Sequence, residues 1–371
     1  MEVVRQDGQE RQDGRAGIDT RSVRTGEELD WPRLVAWLRE RLPACRIAGL
    51  DVTSEPVVSQ FPGGHSNLTY LVRFGSTDIV IRRPPFGPVP PTAHDMAREF
   101  RWLSAMHRVF PLAPRPYLLC DDLAIVGSVF YAMERRTGLV VRAAEPAQLA
   151  DNPTARRAIS EAMIDTLAQL HAVDVVAEGL SALGKPAGFV DRQVRGWSDR
   201  WERSKTDALP EMDMLAGWLR DRLPADPAKP AVVHGDFKLD NVMVDPGNVG
   251  RMVAVLDWEM SALGDPLVDL GIFLAYWQPT SPPEQHDALT TVTDRHGYLS
   301  RDQVVDRYAQ QSGRDVRNVR YYEIFALFKI AVVIQQIYYR YINGQTTDAR
   351  FATFASRVKY LATAATRLAS I

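Results

Sequence analysis

Residues 231–245 read AVVHGDFKLDNVMVD, two short apolar runs rich in β-branched residues with a polar turn between them. Such runs mark a chain entering and leaving a sheet. The polar centre is then a turn at a sheet edge, where catalytic side chains are often carried. Asp236 and Asn241 stand five positions apart, with Asp240 beside the asparagine. A second acidic stretch follows, MVAVLDWEMSALGDPLVDLG (252–271), in which Asp257 ends an apolar run 16 residues after Asn241. A tight hairpin across that interval brings Asp257 beside the turn that holds Asn241. An Asn/Asp oxygen pair suits a hard cation such as Mg²⁺, which leaves Asp236 to orient a hydroxyl and accept its proton. Phosphoryl transfer needs this division: one carboxylate for the nucleophile, and an Asn/Asp pair for magnesium on the phosphates. A lone aspartate in a turn is usually an Asx-type structural residue; its spacing to Asn241 and Asp257 is what argues for chemistry.

The rest of the chain narrows the class. A length of 371 residues suggests about two domains. With 46% hydrophobic and 24% charged residues the composition is that of an ordinary globular protein. The formal net charge of −2 does not advertise nucleic acid or an anionic membrane as partner. Cys45 and Cys120 lie far apart without a CxxC or histidine pattern, so reduced thiols in a cytoplasmic protein are expected rather than a disulfide framework or a zinc site. Residues 1–28 are rich in Arg, Gln, Asp and Gly, have no apolar signal-peptide core, and read as a mobile tail. The apolar stretch IFALFKIAVVIQQIYY (324–339) is broken by Lys329 and Gln335–Gln336, and reads as a buried helix rather than a membrane span.

Residues 30–43 predict an amphipathic helix with Asp30 as cap and Pro32 in its first turn. From about 50 to 134 the strand candidates are NLTYLVRF, DIVIR, YLLC and VFYAMER, interrupted by one helix over roughly 92–108. Beyond about 150 the pattern is helical except for 231–257. The expected class is therefore α+β and bilobal: a tail to residue 28, a β-rich lobe over 29–134 and a mostly helical lobe over 135–371.

The first lobe also offers phosphate contacts. FPGGHSNLTYLVRF (61–74) sets Gly63 and Gly64 between strand-like runs, DIVIRRPP (78–85) ends in Arg82–Arg83, and a following helix carries Glu99. Glycines let backbone amides approach phosphate oxygens, although a GG turn alone is far more often only a turn. A strand cation paired with a helical glutamate can hold the α- and β-phosphates.

This order, a glycine turn, a strand cation, a helix glutamate, HGDxxxxN and then LDWE, resembles the aminoglycoside phosphotransferase family, with its bilobal protein-kinase-like fold. The chain looks closest to the phosphotransferase-like domain found fused to acyl-CoA dehydrogenases, over roughly residues 35–345. The resemblance implies ATP and Mg²⁺ as cofactors, Asp236 as catalytic base, and Asn241 and Asp257 as magnesium ligands. It further implies phosphate contacts from Gly63, Gly64, Ser66 and Asn67, and Arg82 in place of the family's strand lysine, partnered by Glu99. Arg83 is the alternative to Arg82, since adjacent strand residues face opposite ways. Residues 132–136, including Met133 and Arg135, would form the hinge that meets adenine through its backbone. His234 and Asp269 would brace the catalytic loop.

Other residues have plainer readings. Asp265 reads as the cap of the helix that follows it, Glu259 as a neighbour of the metal site, His171 as a packing residue, and Trp197, Trp201 and Trp218 as core. Three classes of function fit: a kinase acting on a small hydroxylated molecule, a silent nucleotide-binding pseudokinase, and a metal-dependent hydrolase. The intact Asp–Asn–Asp set disfavours the second, and the lack of HxH or HExxH disfavours the third. Residues 278–371 hold twelve basic and eight acidic side chains, with Arg314, Arg317 and Arg320 at helical spacing. That suggests a face for a neutral or anionic hydroxylated acceptor, such as a hydroxyacyl-CoA thioester, over a polycationic aminoglycoside.

Overall fold

The computed structural model describes residues 19–62, 67–87, 94–142, 144–277, 292–346 and 348–370. The chain divides into two compact units, one of residues 1–97 and 117–135, the other of 98–116 and 136–371.

The first unit is built on α1 (Trp31–Arg41) and a five-stranded sheet of β1 (Val57–Gln60), β2 (Leu68–Phe74), β3 (Thr77–Arg83), β4 (Pro116–Cys120) and β5 (Phe130–Glu134). The strand order is β1-β2-β3-β5-β4. β1 is an addition to the strands expected from sequence. The Asp30 side chain accepts from the Arg33 amide and caps α1, as its position predicted. Leu34, Trp37 and Leu38 of α1 join a buried cluster with Tyr70, Val72, Ile79, Ile81 and Phe130. Period-2 alternation therefore sends Ile79, Ile81 and Arg83 to the helix-covered face and Val80 and Arg82 to the other. The described part of the expected tail is held down, because the backbones of Arg21 and Gln60 exchange two hydrogen bonds of 2.8 Å.

Helix α2 (Met96–Val109) was expected to belong to the β-rich lobe, yet from Arg98 onward it groups with the second unit. The reason is specific bonding. The Trp258 amide donates to Glu99 Oε1 at 3.1 Å, Arg98 donates to the carbonyls of Glu259 and Ser261, and the Val255 amide donates to Leu112 O.

The second unit adds α4 (Pro153–Ala172), α5 (Phe189–Ser204), α6 (Pro210–Asp221), α7 (Leu267–Tyr276), α8 (Arg301–Ser312), α9 (Val319–Ile342) and α10 (Phe354–Ala369); α3 (Leu123–Val126) is a short turn of the first unit. Two small antiparallel pairs interrupt the helices. β6 (Ala231–Val233) pairs with β9 (Ala262–Gly264), and β7 (Val242–Asp245) pairs with β8 (Asn248–Val255). β6, β7 and β8 are the strands that the β-branched runs of 231–257 predicted, and β9 is an addition to them. α9 packs against α5, α6, α7 and α10 and buries residues on every side, Lys329 and Gln335 included, as a helix that is apolar all round must. Among the described residues no helix is long and apolar enough to cross a membrane.

Candidate active site

The turn after β6 carries His234, Gly235 and Asp236. Gly235 has φ +85°, and a Cβ there would lie 2.7 Å from Met260 O, so only glycine fits this bend. Asp269, in the first turn of α7, accepts the amides of His234 at 2.6 Å and Gly235 at 2.7 Å. His171 of α4 sets its Nε2 3.2 Å from the same carboxylate, and its Nδ1 lies 2.7 Å from the Tyr308 hydroxyl of α8. With Nε2 donating to Asp269, Nδ1 accepts from Tyr308, so a neutral imidazole satisfies both partners. His234 is fully buried, with Nε2 donating to Leu256 O at 2.9 Å, which joins the turn to the residue before Asp257. Thus His171, expected only to pack, belongs to a polar chain under the loop.

The Asp236 carboxylate is partly exposed. Its Oδ2 accepts from Lys238 Nζ and from Asn241 Nδ2, each at 2.8 Å, and Asn241 Nδ2 also reaches Asp236 O at 2.8 Å. Because the amide nitrogen of Asn241 is spent on Asp236, its oxygen is the atom turned to other chemistry. The β7–β8 pairing matches Val242 with Val255, and the Leu256 amide donates to Asn241 O at 2.8 Å. Asn241 and Asp257 are therefore brought together by the hairpin that their spacing predicted. Asp257 adopts a left-handed backbone, φ 66° and ψ 65°. That conformation is strained for a residue other than glycine, and such outliers concentrate at functional sites. Among the described residues no group of three or more His, Cys, Asp or Glu side chains is poised to cage a metal. One carboxylate and one amide oxygen nonetheless fit Mg²⁺, which is commonly held by one or two protein carboxylates with phosphates and water completing the shell.

Lys238 was not singled out in the sequence. Burial works against its charge, but Tyr276, Asp236 and Asp240 outweigh burial and raise its pKa, so it stays an ammonium. Its Nζ also lies 4.8 Å from the centre of the Tyr276 ring. A lysine two residues after a proposed base was the available signal. Asp265 was expected to cap α7; the cap position is Pro266, and Asp265 one residue before it accepts from the Leu267 amide at 2.9 Å and from the Tyr322 hydroxyl.

In the first unit the register of β3 puts the two arginines on opposite faces of the sheet. Arg83 is buried, donates to Pro84 O and Val126 O at 3.0 and 3.2 Å, and lies over the Phe86 ring. Arg82 stands opposite Tyr131, and Val80 opposite Met133, so Arg82 and Met133 share the face away from α1. Arg135 gives its guanidinium to Asp78 and Asp19. Asn67 is buried, whereas Gly63, Gly64 and Ser66 lie outside the described residues. Glu99 is buried in the second unit, where it receives the Trp258 amide.

The anion-receiving face expected from Arg314, Arg317 and Arg320 does not form. Arg314 lies between α8 and α9 and donates to Lys229 O and His171 O, Arg317 pairs with Asp315, and Arg320 donates to Leu368 O and Ser370 Oγ. Gly313, at φ +64°, ends α8 before the first of them, so the helical spacing spans a break. Trp197 and Trp201 are core, while Trp218 is half-buried and stacks on Tyr321.

Residues 57–302 match the profile of the phosphotransferase enzyme family. The chain is 33% identical over 348 residues to acyl-CoA dehydrogenase family member 11 of Rattus norvegicus, covering 93% of this chain and 44% of that protein. It is 32% identical to family member 10 of Mus musculus, covering 89% of this chain and 30% of that protein. It thus spans less than half the length of these relatives. Among solved structures, a putative aminoglycoside phosphotransferase of Ralstonia eutropha aligns at TM-score 0.76 and 29% identity, over 92% of this chain and 99% of that one. Aminoglycoside phosphotransferase APH(4)-Ia, solved with AMP-PNP and hygromycin B, shares the fold at TM-score 0.54 and 15% identity, over 85% of this chain and 94% of that one.

Proposed function

Because the chain belongs to the phosphotransferase enzyme family, we propose that it is an ATP- and Mg²⁺-dependent kinase acting on a hydroxyl of a small molecule. One observation carries the reading: the Asp236 carboxylate is held by Asn241 on a pinned turn, with Asp257 set beside Asn241 by the β7–β8 hairpin. Asp236 orients the acceptor hydroxyl and takes its proton as the oxygen bonds to the γ-phosphorus and ADP departs. Asn241 and Asp257 would hold Mg²⁺, which neutralises charge on the phosphates when bound. Arg82, Met133, the backbone of Arg135 and the glycine turn would serve the nucleotide.

Lys238 places a lasting positive charge against the reacting carboxylate. That charge repels a polycation and suits a neutral or anionic acceptor, and the acyl-CoA dehydrogenase names of the relatives point to hydroxyacyl-CoA thioesters. Comparing kcat/KM for hydroxyacyl-CoA compounds with that for kanamycin-type aminoglycosides tests this. Aminoglycoside turnover at ~10⁴ M⁻¹s⁻¹ or above, in the range of working enzymes, would overturn the acceptor class.

Asp257→Ala is expected to weaken nucleotide binding only where magnesium contributes. Saturating MgATP, at about 100 times Kd, should stabilise the wild type by about 2.7 kcal/mol. The variant should lose most of the Mg²⁺-dependent part of that melting shift. An unchanged shift would remove Asp257 from the metal site.

A further inference from the structure

We infer that Lys329 is a positioning residue for the catalytic turn: from within α9 its ammonium grips the Gly235 carbonyl and holds the peptide that leads into Asp236. Lys329 Nζ donates to Gly235 O at 2.5 Å. On the other side of the same residue, the Gly235 amide donates to Asp269 of α7. Gly235 is therefore clamped at both of its polar groups by two helices that pack on each other. Its left-handed backbone and its close approach to Met260 leave the turn few alternatives. A cation bonded to a carbonyl is stronger than a neutral donor, so the grip depends on the charge.

An ammonium buried in an apolar helix is expensive, because one hydrogen bond replaces the shell of water that its three donors lose. A methionine has a similar length and no charge. The Trp197 ring of α5, 5.6 Å from Nζ, offers a second, weaker favourable contact. The charges that act on Lys329 come from three elements. Asp236 and Lys238 belong to the loop, Asp269 to α7 and Arg200 to α5. The buried residues of α10 (Val358, Leu361, Ala362, Ala364, Ala365, Thr366) and of α6 (Met212, Leu215, Leu219) bring no titratable group. Burial, opposed by Asp236 and Asp269, lowers the pKa of Lys329 from 10.5 to about 8. The grip is therefore largely in place at pH 7 and fades as pH rises through about 8.

The test uses the full chain and two readouts. In ¹H–¹⁵N spectra between pH 6.5 and 9.5, the Gly235 and Asp236 amides should shift together with a midpoint near pH 8. Lys329→Met should fold, lack that titration, and hydrolyse MgATP, with water as acceptor, about 10- to 100-fold more slowly, the scale of a small misplacement. Its KM for ATP should be unchanged, and the alkaline fall in wild-type kcat should be absent. Amides that stay fixed across the range in the wild type overturn the inference without any variant. So does a Lys329→Met chain with wild-type kcat and the same alkaline limb. The turnover arm rests on the kinase reading, whereas the amide arm needs neither nucleotide nor acceptor. A chain that titrates but hydrolyses no ATP would sink the kinase reading and leave the grip standing.

Discussion

Asp236→Asn is expected to lower phosphoryl transfer by about 10²–10⁴-fold, the span usual for losing a positioned general base. The substitution keeps the size of the side chain and an oxygen that can still accept from Asn241 or Lys238, so the turn should keep its shape. It removes the carboxylate assigned to take a proton from the acceptor. Nucleotide binding should survive, because Asn241 and Asp257 are untouched and MgATP should still raise the melting temperature. The informative pair of measurements is therefore kcat and the MgATP-induced melting shift. Wild-type turnover in Asp236→Asn would overturn the assignment of the base. Loss of the melting shift along with activity would instead mean that the substitution had disturbed the metal site.

Much of this site was legible because its parts are close in sequence. HGDFKLDN and the run ending at Asp257 are joined by one hairpin, and β-branched alternation is enough to place both strands. The break of an apolar stretch by Lys329 was also visible, but only as a departure from hydropathy. Its partner, Gly235, lies 94 positions away, and no local pattern reports such a bond. The same holds for His171, whose tie to Asp269 spans 98 positions and whose tie to Tyr308 spans 137. The arginines at 314, 317 and 320 failed in the opposite way. Their spacing was right for a helix face, but Gly313 ends one helix and the next begins at Val319, so tertiary structure assigns each arginine a separate carbonyl or carboxylate. Alternation alone set Arg82 and Arg83 on opposite faces, but which of them faces α1 needed the register of β3.

Asp269→Ala is expected to destabilise the second unit by about 3–5 kcal/mol, the range for breaking a buried, hydrogen-bonded pair. Asp269 is fully buried, and its two oxygens serve the amides of His234 and Gly235 and the imidazole of His171. Truncation leaves three donors facing one another in a dry site, and each unsatisfied donor costs about 1–3 kcal/mol. Against a typical total of about 5–15 kcal/mol, that is a large fraction. The same cluster sets the acid behaviour of the wild type. Burial holds the His171 pKa below 6.5 despite Asp269, so the unfolded chain binds the proton more readily and stability falls as pH drops below 6.5. Burial alone would raise Asp269, but His171 and the Gly235 amide lower it below 3.8; its contribution is present above 3.8 and is lost as pH falls through that lowered value. Both groups thus act with the same sign, but in different windows: wild-type stability should decline below about pH 6.5 through His171, and further below pH 3.8 through Asp269. Urea unfolding followed by the fluorescence of buried Trp197, Trp201 and Trp258 would report both effects. An Asp269→Ala chain within about 1 kcal/mol of the wild type at pH 7 would mean that the loop is held by something other than this carboxylate.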